Sequence, residues 1–463
     1  MPNEKTIHIV TLGCARNQVD SEVMAGELHR AGWTRVDRPE TARVIVVNTC
    51  SFIEAAADEA IDTILALAEF KQTGVCRRLV VTGCLPQRYG KSTGTALSEV
   101  DVFLGTGAYD RIVAAVEEKI ERACLLPDPD AIDLSGHGEK RLLPAAPAMY
   151  LKIAEGCNRH CTYCIIPALR GRQKSRPAAD ILKEARIMLA AGVREMVLVA
   201  QESTHYGADL PASDGLAGLL RDLATLAGAG KSPVWIRVLY GHPESIDADL
   251  IESFATTPGV LPYFDIPIQH ASDRILKKMG RKYDAAALRD LFEMIRSRIP
   301  AAVLRTTVIT GFPGETKADF SQLLALADEI RFDHLGVFTY SDADDLAAHA
   351  LPDPVPAETA RDRMARLMTL QKNISREKNE HRLGRKVDVL VEEMPEPGLW
   401  MGRTAFQAPE VDGVTYVHAD NGPAPAVGSF VRATIIDAMA YDLVATVDAQ
   451  KMDTNESDFP RAG

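Results

Sequence analysis

The 463-residue sequence contains no apolar run approaching the roughly 18–20 residues of a membrane-spanning helix, which excludes a helical membrane protein. Its N-terminus, MPNEKTIHIVTLGC, lacks the basic start, long apolar stretch and small-residue cleavage site of a secretory signal, so a cytoplasmic location is expected. Positive charge is in short supply too. Lys and Arg number 52 against 64 Asp and Glu, a formal net charge of −12, whereas proteins that grip nucleic acid carry basic patches. A local patch is compatible with that total. The balance nevertheless argues against direct nucleic-acid binding and for a protein or small-molecule substrate, or a basic partner. A core is not lacking: hydrophobic residues make up 46% and charged residues 25%. The length suggests about two to four domains. Eight cysteines in a reducing compartment point to metal binding or catalysis rather than structural disulfides.

Three short Val/Ile-rich runs, 7–12, 43–49 and 78–82, are each followed by a helical pattern such as 54–70. That alternation predicts βαβ units and a parallel sheet. Proline-rich residues 125–147 read as a linker. From 149 to about 341 six further strands are expected, at 149–154, 195–200, 234–240, 263–268, 302–310 and 334–340. Helical segments such as 178–191 and 317–330 separate them, so the pattern suggests an open barrel short of the eight-fold closed one. Residues 357–382 predict a long charged helix whose Met364, Leu367, Met368 and Leu370 serve packing. Alternating β patterns over 385–447, with turn signals at 412–413 and 421–422, predict a small β-barrel. The polar tail, 450–463, reads as disordered. The expected domains are 5–121, 143–376 and 379–447.

Chemistry concentrates in EGCNRHCTYCIIP, where Cys157, Cys161 and Cys164 stand in C-x3-C-x2-C spacing just after the first barrel strand. A loop this short can wrap three thiolates around one metal centre, and thiolates suit both iron–sulfur clusters and zinc. Structural zinc takes four protein ligands. Three cysteines instead leave one iron of a 4Fe–4S cube free for a small molecule. The alternatives are a zinc site completed by His160, awkwardly placed beside Cys161, or three incidental cysteines.

A second triplet is dispersed. Cys14, Cys50 and Cys84, in TLGCARN, VNTCSF and VTGCLPQ, each follow one of the first three strands, 36 and 34 residues apart. Ligands of a parallel sheet collect outside the carboxyl ends of its strands, so neighbouring strands would aim three thiols at one point. Three ordinary buried cysteines are the alternative. Cys76 and Cys124 lack this placement and receive no role.

The C-x3-C-x-Y-C loop at the end of the first strand of a six-repeat barrel resembles the radical S-adenosylmethionine superfamily. The resemblance implies that the free iron binds the amino and carboxylate groups of S-adenosylmethionine, whose C–S bond is split to give a 5′-deoxyadenosyl radical. It also implies that Tyr163 packs beside that cofactor and that Gln201 and Glu202, ending the second strand, hold its amino group. Gln269 and His270, ending the fourth strand, could line the same cavity. Capping or hydrogen bonding of loop backbone is the competing reading for each. The 311–316 segment, GFPGET, lacks the Gly-Lys-Ser/Thr ending of a phosphate loop and in the family lines the adenosine pocket. His242 reads as a packed or turn histidine.

Two three-cysteine sites, the barrel and the terminal β domain together resemble the radical S-adenosylmethionine methylthiotransferases over almost the whole chain. The resemblance implies an α/β protein with a flavodoxin-like N-terminal parallel domain, a central partial (β/α)6 barrel and a C-terminal antiparallel TRAM-like β-barrel. It implies two 4Fe–4S clusters, S-adenosylmethionine, a low-potential electron donor such as flavodoxin or ferredoxin, and no catalytic side chain beyond the cluster ligands. One branch of the family modifies an adenosine in transfer RNA; another adds a methylthio group to the β-carbon of an aspartate in small-subunit ribosomal protein twelve. KIAEGCNRHCTYCIIPALRGRQKSR, YFDIPIQHAS, RTTVITGFPGE and GRTAFQAPEVDG match the second branch better. The stretch after the sixth strand, YSDADDLAAHALPDPVP, departs from that branch's acidic-Gly-Thr pattern. Between 379 and 448 five basic residues face eleven acidic ones. TRAM-like domains bind RNA in relatives, yet an acidic barrel repels phosphate and attracts a basic ribosomal protein. An acidic solvated surface without a partner is the alternative.

Overall fold

The computed structural model describes residues 5–448 apart from 122, 231 and 420–423. The turn expected at 421–422 and the tail, 450–463, lie outside the described residues. The N-terminal sheet is built from β1 (Thr6–Thr11), β2 (Thr34–Arg35), β3 (Val44–Thr49), β4 (Arg78–Gly83), β5 (Val102–Leu104) and β6 (Ala123–Leu125). Its order, β2-β1-β3-β4-β5-β6, with every pairing parallel, is the flavodoxin-like arrangement. Strands covered on both faces read as continuous apolar runs, and β3 shows why. Val44 and Val46 pack with Met24 and Leu28 of helix α1 (Ala15–Arg30), while Ile45 and Val47 pack with Ala60 and Ile64 of the helix Glu54–Ala68. The strands β2, β5 and β6 have two or three residues each, too few to show a period in the sequence.

The central domain starts with β7 (Ala148–Lys152) and an antiparallel hairpin of β8 (Ala154–Glu155) and β9 (Lys174–Ser175). It continues through β10 (Glu195–Val199), β11 (Trp235–Val238), β12 (Tyr263–Asp265), β13 (Val303–Thr310) and β14 (His334–Thr339). These form two parallel three-stranded sheets, β7-β10-β11 and β12-β13-β14; between them Ile236 bridges Val260, just before β12, and the Gly241 N–H donates to the Asp265 carbonyl at 2.8 Å. Among the described residues no ladder returns from β14 to β7, so the barrel is open. Residues of alternate parity face opposite sides. Leu151, Met196, Leu198 and Ile236 meet the surrounding helices, and Tyr150, Val197, Val199 and Tyr263 fill the interior. Ala15 and Val19 of α1 join that interior cluster, which locks the N-terminal domain onto the barrel.

The helix Ala357–Glu380 leads to the terminal domain, and its Leu367 is fully buried in the core of the central domain. There β15 (Lys386–Glu396), β16 (Leu399–Thr404), β17 (Thr415–His418), β18 (Phe430–Ala438) and β19 (Leu443–Val447) close into a five-stranded barrel. Every pairing is antiparallel except β17 with β19, which run parallel and close the barrel. This domain docks on residues at the starts of the central strands. Buried Glu195 accepts from Arg403 Nη2 and Arg237 Nε, each at 2.6 Å, and Tyr263 Oη donates to Asp412 at 2.6 Å.

Candidate functional site

Cys14, Cys50 and Cys84 leave the ends of β1, β3 and β4, three adjacent strands of one sheet. Two glycines let the loops converge. Gly13 has φ +93°, and a Cβ added there would stand 2.5 Å from Cys50 Cβ and 3.0 Å from Cys50 Sγ. Gly83 has φ +97°, and its Cβ would meet Asn48 Oδ1 at 2.5 Å and the Thr49 carbonyl at 2.6 Å. No side chain but glycine combines that backbone with that space. Polar side chains stitch the loops together. Asn17 Nδ2 donates to the carbonyls of Leu12 (2.8 Å) and Thr49 (3.0 Å), and Thr49 Oγ1 donates to Thr82 (2.6 Å).

The electrostatics of these thiols differ. Burial pushes Cys14 up, but Arg16, Arg170 and the backbone N–H groups of Asn17 and Arg16 outweigh it, and its pKa falls below the usual value. Burial raises Cys50, and it raises Cys84 to about 11 although Arg170 Nη2 lies 3.7 Å from the Cys84 sulfur.

The second triplet occupies the loop after β8. Gly156, φ +79°, is pressed so closely on Arg172 that a Cβ would overlap its carbonyl oxygen, and Cys157 N–H donates to the Gly171 carbonyl at 3.0 Å. The far side of the loop is pinned by Thr162, whose N–H and Oγ1 donate to the carbonyls of Met279 (3.2 Å) and Lys278 (2.8 Å). Burial raises Cys157, and raises Cys164 to about 12. Thiols raised this way favour their protons until a metal takes the thiolates.

Among the described residues no group of three or more His, Cys, Asp or Glu closes on a single metal ion. A cluster, in which each iron takes its own thiolate, does not need the sulfurs to meet at a point. The donor set of each triplet therefore fits a cluster.

The neighbours of this loop are distributed as follows. Tyr163 Oη accepts from Arg281 Nη2, and its ring joins Met279 and Phe312. Gln201 Nε2 donates to Glu155 Oε1 at 2.5 Å, while its buried Oε1 has no hydrogen-bond partner. Glu202 is already engaged, accepting from Arg159 Nη2 (2.7 Å) and Nε (2.8 Å) and Ser245 Oγ (2.6 Å). Gln269 is held at φ +67° at the end of the fourth strand, with its N–H on the Thr307 carbonyl at 3.0 Å. Fully buried His270 accepts at Nδ1 from the Ser272 N–H and faces Glu315 across 3.6 Å. His242 caps a turn, Nδ1 accepting from the Glu244 N–H at 3.2 Å. Cys76 and Cys124 lie elsewhere, against the carbonyls of Arg78 and Gly90.

Sequence reasoning missed the wall between the two triplets. Arg170 donates to Asn17 Oδ1 (2.5 Å), Asp20 Oδ2 (2.8 Å) and Glu155 Oε2 (3.2 Å). Lys152 bonds Asp20 and, at 2.8 Å, Glu155, and Tyr109 Oη donates to Asp20 at 2.8 Å. Asn17, Asp20, Lys152, Glu155 and Arg170 are all 2% exposed or less. The available signal was the pattern Cys14-x2-Asn17-x2-Asp20, which puts two polar residues on one face of the helix that a cysteine begins.

Three family models match the chain: uncharacterized protein family UPF0004 at residues 6–105, the radical SAM superfamily at 151–327 and the TRAM domain at 383–447. The ribosomal protein uS12 methylthiotransferase RimO of Desulfosudis oleivorans is 52% identical over 94% of this chain and 98% of its own length. Its namesake from Geobacter sulfurreducens is 44% identical over 96% and 100%. Among solved structures, the radical S-adenosylmethionine methyltransferase TsrM of Kitasatospora setae, with cobalamin and a [4Fe-4S] cluster bound, superposes with a TM-score of 0.54 at 14% identity, over 86% of this chain and 80% of its own. That likeness is one of fold.

Proposed function

The chain belongs to the ribosomal protein uS12 methylthiotransferase family, a radical S-adenosylmethionine family, and on that premise we propose that it adds a methylthio group to the β-carbon of an aspartate in uS12. In this reading Cys157, Cys161 and Cys164 hold one 4Fe–4S cluster and Cys14, Cys50 and Cys84 a second. When bound, the first supplies the electron that cleaves S-adenosylmethionine and the second supplies sulfur. A low-potential donor such as flavodoxin or ferredoxin would provide electrons.

The observation that carries the reading is the convergence of the dispersed cysteines, with Cys50 Sγ 3.0 Å from the Cβ position of Gly13, beside Cys14. A generic radical enzyme does not need a second triplet. The residues of this chain divide the remaining work. Gln201, fixed by Glu155, offers its free carbonyl oxygen to the ammonium group of S-adenosylmethionine. Glu202, neutralised by Arg159, orients the loop after the second strand rather than meeting that ammonium directly. Tyr163 anchors the cysteine loop through Arg281. Cys84 is buried and the other five cysteines are partly exposed, which leaves both triplets within reach of S-adenosylmethionine and a protein substrate. The terminal barrel leaves Glu393, Glu396, Glu410 and Asp437 exposed, an acidic surface suited to a basic protein.

The test is mass spectrometry after incubating the reconstituted enzyme, S-adenosylmethionine and reductant with ribosomes or with transfer RNA. A methylthio adduct on the uS12 aspartate is expected. A gain on a transfer RNA adenosine, with uS12 unchanged, would refute the reading and favour the sister activity.

A further inference from the structure

One cation beside the N-terminal triplet has no carboxylate paired with it among the described residues. Arg16, half-buried and two residues beyond Cys14, reaches out of the N-terminal domain to the barrel rim. There its Nη1 donates to the carbonyl of Ala200, the residue before Gln201, at 3.0 Å. Its guanidinium lies 4.4 Å from the centre of the Tyr240 ring. Tyr240, just past the end of β11, is held at φ +63° by its N–H on Asp265 Oδ2 (2.9 Å) and its carbonyl on the Ser203 N–H (2.9 Å). Non-glycine residues in that region cost free energy and cluster at ligand clamps.

The arginines around it have their side-chain partners within the protein. Arg159 holds Glu202 and Glu244, Arg170 holds Asp20 and Glu155, and Arg305 holds Asp265. Arg281 is occupied by Tyr163 Oη and His242. Among the described residues no carboxylate comes within ion-pair distance of Arg16. A half-buried guanidinium with no carboxylate beside it is free to take one, and a fixed aromatic ring under it orients it for a planar, two-oxygen acceptor.

We propose that Arg16 binds the side-chain carboxylate of the substrate aspartate, holding it between the Cys14 loop and the strand end that carries Gln201. The inference rests on the aspartate methylthiotransferase reading and names the residue that would select aspartate. The Tyr240 ring fixes the guanidinium plane, and the Ala200 carbonyl takes one of its five N–H donors, leaving the others for the ligand.

The test uses the reconstituted two-cluster enzyme, wild type and Arg16→Gln, and two forms of uS12, native and with the target Asp changed to Asn. Mass spectrometry of native uS12 with the wild-type enzyme comes first; an unmodified protein there fails the parent reading and this inference with it. Dissociation constants for both uS12 forms follow, with electron paramagnetic resonance spectra of both clusters. Wild type should bind the Asp form about tenfold to a hundredfold more tightly than the Asn form, the range of one charge-assisted contact. Arg16→Gln should weaken the Asp form by a similar factor and no longer distinguish the two, while Arg16→Lys recovers part of the preference. The spectrum of the cluster at Cys157, Cys161 and Cys164 and S-adenosylmethionine cleavage without uS12 should not change. If Arg16→Gln keeps the wild-type preference for Asp, or alters only the spectrum of the N-terminal cluster, Arg16 is a counter-ion of that cluster and the proposal is wrong.

Discussion

Arg170 Nη2 lies 3.7 Å from Cys84 Sγ, although 86 residues separate them, and Nη1 of the same guanidinium lies 3.2 Å from Glu155, two residues before Cys157. One buried side chain thus touches the surroundings of both triplets. Asp20, Glu155 and Lys152 complete its charge balance. The two domains are joined at the chemistry itself.

Removing that guanidinium leaves buried carboxylates undercompensated. Arg170→Met is predicted to lower stability by about 3–5 kcal/mol, the range for breaking a buried ion network from one side. Chemical denaturation of the apoprotein measures it. Arg170→Lys should restore part of the loss, because an ammonium supplies charge but not the fork that spans Asn17, Asp20 and Glu155.

The glycine at the first loop gives a finer probe. Gly13→Ala combines a positive φ with a Cβ 2.5 Å from Cys50 Cβ, whereas Gly32→Ala, at φ +83°, meets nothing within 4 Å. Both variants should lose roughly 1–3 kcal/mol through backbone strain, read from thermal unfolding. Only Gly13→Ala should lose iron from the N-terminal site.

Single cysteine variants separate the two sites. Cys161→Ala should abolish cleavage of S-adenosylmethionine, followed by chromatography of 5′-deoxyadenosine. Cys50→Ala should retain that cleavage and stop methylthiolation of uS12. Full methylthiolation by Cys50→Ala would remove the N-terminal triplet from the reaction.

Acid should release the terminal barrel. Burial pushes the Glu195 carboxyl up, but Arg403 and Arg237 outweigh it and hold its pKa below the ordinary 4.5. The folded value is depressed, so the stability from this pair is complete above about 4.5 and is lost as pH falls through the folded value. Glu195→Gln should flatten that part of the stability–pH curve, as followed by Trp235 fluorescence; an unchanged acid limb would contradict the assignment.

The cysteine geography was legible in the sequence because it follows a local rule: Cys14, Cys50 and Cys84 each end a Val/Ile run, and parallel strands deliver their ends to one edge. The barrel strands were legible for the same reason. Residues 125–147, read as a linker, instead dock tightly: buried Arg141 pairs with Glu22 and, at 2.7 Å, with Glu184. Nothing in the sequence marks Arg141 and Arg170 as buried, since their partners Glu22 and Asp20 lie 119 and 150 residues away. Such pairings come from tertiary packing and leave no periodic trace. The occupation of Glu202 by Arg159 escaped notice on the same ground: 43 residues separate them.

The most direct measurement is the iron and acid-labile sulfide content of the anaerobically reconstituted enzyme beside a variant with Cys14, Cys50 and Cys84 all changed to Ala. Two 4Fe–4S clusters predict about eight iron and eight sulfide per chain in the wild type, and about four of each in the variant with S-adenosylmethionine cleavage retained. A wild type holding only about four, or a variant with undiminished iron, would contradict it.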